Sequence, residues 1–504
     1  MKLKGQLLGA ALTLSIASTV SPVALMAMDA NDDADAFVEM LETRAGGQVD
    51  IAYKQAATSN GNTIVTGLTF SKTDGDQFAN VTTATLGKMV SGVPSFVEFQ
   101  GLNVSHEADT TIDIDSIRME GASAIEFALT VEDLDSPFDI MNAMKGPNRI
   151  TLSGLNIVGD SDENVSIANM DMLIDGTEQV IKKFTLQGVT VIDSDNTSET
   201  VTIDNISFEG PRFGAIAALV MQHNADKTDT DAINAYIEDV VNEVPSAMGL
   251  TSFNINGISV SSDNGQDVSV GEIALGNMQY HNGSLISADI RVSDTGVRND
   301  DKAAELGMEG FIIDMTAGDS IAADGKSVIG NLNVTLRDGA VLSINQSSEI
   351  DSLDSYVAKR EAAMKNQFRG ILQEKFLPKA ARTADVSTWE SLLLHENMKM
   401  EIKLTDLGVI ANAIALQAEQ SGQTVDLLAL QAPMLLPMFL QGQLPEDQII
   451  GLSQEVSAFI TGTPFHVVID TVNGWREAAA TLAEDGDIKA VKAQNIVSLS
   501  FPAE

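Results

Sequence analysis

Ile150–Ile157 reads ITLSGLNI, and the same form returns at Val97–Val104 (VEFQGLNV), Phe184–Val191 (FTLQGVTV) and Phe253–Val260 (FNINGISV). In each copy apolar residues hold positions 1, 3, 6 and 8, and glycine holds position 5. Each is followed, across a polar loop, by a second segment with the same apolar positions. These are Ile112–Met119 (IDIDSIRM), Val165–Met172 (VSIANMDM), Val201–Phe208 (VTIDNISF) and Val268–Leu275 (VSVGEIAL). Thr63–Phe70 (TIVTGLTF) reads as a fifth, degenerate start.

Alternation of period two marks a strand with one face buried. The step of three in the middle would throw the second half onto the wrong face, and one extra residue there, a β-bulge, restores it. Glycine at position 5 tolerates the backbone dihedrals this needs. Both strands of each hairpin carry the break at the same place, which predicts a sheet that curls; two short strands with a corner between them are the alternative for each segment. The intervening loops, such as Gly159–Asn164 (GDSDEN), are made of the residues hairpin turns use. A simpler hairpin is predicted at Asn333–Ile344, turning on Asp338-Gly339.

The fold class that follows is α+β and β-dominated: repeated bulged antiparallel β-hairpins forming a long curved sheet. Amphipathic helices pack on it, and the C-terminal part is helix-rich. The organisation reads as a signal peptide over 1–27, a hairpin-repeat region over 28–345 with inserted helices over 213–244, and a helix-rich region with closing strands over 346–504. Ile233, Ile237, Val240, Val241 and Val244 give the inserted segment one apolar helical face, which Pro245 ends. Leu353–Leu377 is helical by the same test, as are Asp406–Ala418, Val425–Leu440 and Glu446–Ile460. Strands are predicted at Met398–Leu404, Phe465–Ile469 and Val497–Phe501.

Lys2 and Lys4, the apolar stretch Leu7–Val20 and the small-residue site at Leu25-Met26-Ala27 have the order of a cleaved export signal. An uncleaved inner-membrane anchor is the alternative, since Gly5–Met28 carries no charge. The chain has no cysteine, which excludes disulfides, thiolate metal sites and a lipoprotein anchor, and fits a bacterial periplasm. Its 71 acidic residues against 30 basic ones give a net charge of −41, which opposes nucleic-acid binding. Aromatics are only 5% of the chain, so the core is aliphatic and platforms for sugar rings are scarce.

Two segments bear on membrane contact. Lys359, Arg360, Lys365, Arg369, Lys375, Lys379 and Arg382 make residues 353–382 locally basic, as on helices that lie on anionic lipid. Docking onto the acidic strand region is the expected use. Residues 427–440 (LLALQAPMLLPMFL) are apolar all round and are expected as a buried core helix, with a lipid-contacting lip as the sharper alternative.

No catalytic, cofactor-binding or metal residue is assigned. His106, His223, His281, His395 and His466 are scattered, with no HExxH and no GxSxG. Asp324-Gly325-Lys326-Ser327 lacks the first glycine of a phosphate loop, Ser320 standing in its place. Asp193, Asp195 and Glu199, and Asp263 and Asp267, alternate within loops as calcium ligands can, but turn formation accounts for them and the twelve-residue calcium-loop pattern fails at Ser198.

The paired strand pattern behind an export signal resembles bacterial envelope proteins of the AsmA-like and YdgA-like kind, over about residues 60–340 and again near Met398–Leu440. The resemblance implies a β-rich envelope factor, some of which are associated with lipid or outer-membrane homeostasis. The chain departs from them in a leader read as cleaved, and no functional residue carries over. The expected function is non-enzymatic: an apolar sheet face that binds lipid or another hydrophobic ligand, or that serves as a scaffold. A secreted acidic adhesion or matrix protein and a hydrolase with an unrecognised site are the other classes.

Overall fold

The computed structural model describes residues 30–502 apart from 45–48, 91–92, 107–109, 122–146, 160–163, 194–198, 212–229, parts of 231–248, 262–266, 379–394, 476–495 and a few single positions. The leader at 1–27, the inserted segment 213–222, and Lys379 and Arg382 lie outside the described residues. The chain divides into two compact units, one of residues 1–222 and 248–264, the other of 223–247 and 265–504. The sequence boundary at 345/346 instead marks the change from hairpins to helices.

The first unit opens with helix α1 (Ala30–Arg44), followed by β1 (Val49–Ala52), β2 (Gln55–Ser59), β3 (Asn62–Lys72) and β4 (Gln77–Leu86). The short pair β5 (Met89–Val90) and β6 (Val93–Pro94) precedes β7 (Phe96–His106), β8 (Thr110–Glu120) and β9 (Pro147–Val158). β10 (Asn164–Asp175), β11 (Val180–Asp193), β12 (Glu199–Glu209) and β13 (Ser252–Ser261) complete it. From β3 onward each long strand pairs antiparallel with the next, while β1 and β2 share the outer edge of β3.

The repeat glycines Gly67, Gly101, Gly154, Gly188 and Gly257 all have φ between +62° and +64°, the left-handed region where a side chain is strained. The break is matched on both strands: Thr66 pairs Thr83 and Leu68 pairs Val81, so register carries through unchanged. The apolar residues therefore stay on one face on both sides of each break.

The second unit contains β14 (Asp267–His281), β15 (Ser284–Arg298), the short helix α2 (Asp301–Glu305), β16 (Gly310–Ile321), β17 (Ser327–Leu336) and β18 (Ala340–Glu349). Then come α3 (Leu353–Phe376), β19 (Met398–Asp406), α4 (Val409–Ser421), α5 (Val425–Leu440), α6 (Glu446–Ile460), β20 (Phe465–Thr471) and β21 (Val497–Ser500). Again each strand pairs antiparallel with the next. The helix at Asp406–Ala418 starts later than its apolar pattern. Asp406 ends β19 and its carboxylate accepts the N–H groups of Gly408, Ile410 and Ala411 at 2.9–3.0 Å, closing the start of α4.

Helix α3 docks by charge and by packing. Tyr356 and Val357 are buried with Ile286, Val328 and Ile350. Arg360 reaches Asp319 at 3.1 Å, and Arg369 bonds Glu238, which lies among the helical residues of 230–242. The carboxyl of Glu238 lies below its ordinary range because of that Arg369 bond. Lys359 and Lys365 pair with Asp351 and Glu361, so the described cations of this helix have intramolecular partners.

Candidate ligand face

Strand pairing converts the repeat into four apolar ladders that cross β3 to β13. Phe70, Ala79, Val104, Ile112 and Ile157 stand side by side, and Val165, Val191, Val201 and Val260 continue the row. The second row ends in Ile167, Val189, Ile203 and Ile258, and the third in Met170, Leu186, Ile206 and Ile255. The fourth ends in Met172, Phe184, Phe208 and Phe253, with Phe184 and Phe208 stacked at 4.6 Å between ring centroids. Cross-strand neighbours of this kind are what stabilise a sheet face. Each strand contributes eight residues from first row to fourth, a width of about 23 Å at ~3.3 Å per residue.

The face is not uniform. From β3 to β9 every long strand has buried rungs: Leu68 and Ala84 have no exposure, and Val65, Val81 and Val97 are 1% exposed, while Phe99, Val104, Ile117 and Leu152 are half-buried against them. Helix α1 closes one end, with Ala34, Phe37 and Leu41 in the same cluster and Phe37 against Phe99 at 6.4 Å. From β10 to β13 the ladders continue with the same residue types, yet every position in them is only half-buried. The sequence reading missed α1, although Ala34, Phe37 and Leu41 have the spacing of one helical face.

The opposite face is polar. Asn103 bonds Asp113, the hydroxyls of Thr202 and Ser259 are 2.8 Å apart, and Arg149 holds Asp171 at 2.9 Å. The bond to Asp171 raises the Arg149 guanidinium above its ordinary value. A shallow depression of about 230 Å³ lies there, lined by Ser116, Thr151, Ser153, Asn169 and Gln187 beside that ion pair.

The singled-out polar residues do not converge. His281 pairs with Asp354 at 2.8 Å, and His466 pairs with Glu401 at 2.9 Å. Glu401 lies below its ordinary value through Lys403 first and His466 second. His395 is buried beside the Tyr356 ring, 5.9 Å away. Asp324 accepts the N–H groups of Lys326 and Ser327 at 2.8 and 3.1 Å, so the Asp324–Ser327 stretch is a turn between β16 and β17. His223 and the side chains of His106, Asp193, Asp195, Glu199, Asp263 and Asp267 lie outside the described residues. Among the described residues no group of three or more His, Asp or Glu is placed to hold a metal ion.

The expectation that 427–440 is a buried helix is corrected. Leu427 is 42%, Leu430 63% and Met434 72% exposed. The three-helix excursion between β19 and β20 explains this: among the described elements α5 packs chiefly on α6 and α4, which leaves Leu427, Leu430 and Met434 exposed. Among the described residues no helix is long and apolar enough to cross a membrane.

Fold and face together define a class: an antiparallel β-meander with one polar face and one laddered apolar face, closed at one end by a helix. Comparison with protein-family models, with curated proteins and with solved structures finds no match.

Proposed function

We propose that this is an exported, non-enzymatic protein of the bacterial periplasm that holds an apolar ligand of lipid kind on the ladder face of β10–β13. The observation that supports this is the change along one continuous apolar face, from strands that each carry fully buried rungs to strands whose rungs are all half-buried. Water against such a face is unfavourable by about 25 cal/mol for each Å² of apolar surface, and an apolar ligand relieves it. Over β10–β13 the rows are aliphatic, with phenylalanine only in the fourth, which suits flexible hydrocarbon better than rings that need stacking platforms. The likeness in pattern to AsmA-like and YdgA-like envelope proteins agrees with this reading and adds no residue to it.

The test is to purify the protein from its native envelope, extract it with organic solvent and identify lipid by mass spectrometry. Ile203→Glu and Ile206→Glu place charge in the middle of the face. Co-purifying lipid that is lost in these variants is the expected result. Protein free of lipid, or lipid retained by both variants, would sink the carrier reading and leave a scaffold.

A further inference from the structure

Among the described helices α5 is the most apolar, and Leu427, Leu430 and Met434 of it are exposed. From Leu427 to Pro445 the sequence has no charged residue, although 20% of the chain is charged. From Leu404 to Trp475 there is neither lysine nor arginine. Leu427, Leu430 and Met434 recur at helical spacing along one exposed side, and Ile450 of α6 is 50% exposed. In water this surface has no favourable partner, and a contiguous apolar patch of this kind marks a contact surface.

We propose that the α4–α6 excursion is a membrane-contact lip, with α5 lying in the interfacial region of an uncharged, zwitterionic bilayer. Charge selects this occupant. A second copy of the chain brings another −41 charge to the contact, and self-repulsion grows with it. An anionic surface repels the acidic chain and finds no basic residue on the lip to hold it. A neutral apolar phase has neither penalty. Helix length fixes the mode of contact: sixteen residues rise about 24 Å at ~1.5 Å each, short of the ~30 Å hydrocarbon core, so α5 lies in the surface. Asp426 before the charge-free run and Glu446 and Asp447 after it stay at the level of the headgroups. Interfacial helices usually carry basic residues; this one has none, so its binding rests on apolar burial alone and is insensitive to salt.

The absence of cysteine makes a site-specific test direct. Met434→Cys in the full chain is labelled with an environment-sensitive fluorophore, and phosphatidylcholine vesicles are added. Thr316→Cys, on an exposed strand position, is the labelled control. The expected result is a blue shift at position 434 and none at 316. The shift should be equal at low and high salt and no larger when phosphatidylglycerol is included. Because the readout is local, vesicle binding through the N-terminal apolar segment does not imitate it. Unchanged emission at 434 overturns the proposal. So does a blue shift that appears without vesicles and grows with protein concentration, which would assign the surface to a second copy.

Discussion

Asp115 on β8 lies over Gly154 on β9: a Cβ built on Gly154 would stand 2.8 Å from the Cβ of Asp115. The same overlap relates Gly188 to Ala168 and Gly257 to Asp204, each at 2.8 Å between Cβ positions. A side-chain rotation cannot relieve it, because a Cβ does not move with χ1. The repeat glycine thus answers two demands at once, a left-handed backbone and space for the neighbouring strand.

Gly154→Ala and Gly257→Ala should therefore each lower stability by about 1–3 kcal/mol, the left-handed strain plus the displaced neighbour. Gly61 also has positive φ, at +79°, but nothing lies within 4 Å of its built Cβ. Gly61→Ala should cost less, about 1 kcal/mol, from backbone strain alone. Urea unfolding of the three variants checks the order, and equal losses would show that the overlap contributes nothing.

The change along the ladder face predicts a matching change in mutational cost. Leu68→Ala, at a fully buried rung, should lose about 2–5 kcal/mol. Ile203→Ala and Ile258→Ala, on half-buried rungs, should lose about half as much, because less surface returns to water. Bound lipid would add to the open-end cost, so the comparison belongs on delipidated protein. Similar losses at both ends would mean that the open end is covered in solution.

How far the fold was legible follows from these residues. The strands and their matched breaks were readable because period two and a glycine at a fixed place are local properties. The single ladder face then follows without further information, since a break matched on both strands preserves register. The openness of β10–β13 was not readable: Val201 and Val97 are the same residue type, and what covers each is decided by distant elements. The outward position of α5 was hidden for the same reason. An all-round apolar helix points to burial, and only the topology of the β19–β20 excursion leaves its Leu427–Met434 side exposed among the described elements.

Asp294 marks a one-sided bulge where β15 slips against β16 between Val292 and Thr295, with φ +52°. Burial pushes its carboxyl up, but hydrogen bonds from Arg337 and Arg298 outweigh that and bring it below the ordinary 3.8. A carboxyl depressed in the folded state adds stability above its unfolded value and loses it as the pH falls through the folded one. Asn tolerates the left-handed backbone, so Asp294→Asn isolates the charge. Wild type should melt higher than Asp294→Asn above pH ~5, and the gap should close as the pH drops past 3.8. Thermal melts across that range check this, and a gap that persists at lower pH would mean the aspartate acts by geometry alone.

Arg360 is the residue that seats α3 on the sheet of the second unit. Its guanidinium donates to the carbonyl of Ile286 at 2.9 Å and pairs with Asp319 at 3.1 Å, with its side chain only 20% exposed. Asp319 in turn accepts the N–H of Ala288 at 3.0 Å, so one cluster ties the helix to β15 and β16. Both acceptors are met by the one nitrogen Nη1, held at the end of a rigid planar group longer than a lysine side chain, a placement that a shorter, freely rotating ammonium does not reproduce. Arg360→Ala should cost about 1–3 kcal/mol, as for a charge-assisted bond whose partly buried acceptors lose their donor. Arg360→Lys should recover less than half. Hydrogen exchange should show faster opening in Leu353–Phe376, while β3 and β4 keep their protection, because those strands belong to the other compact unit. Full rescue by lysine would reduce the contact to simple charge pairing.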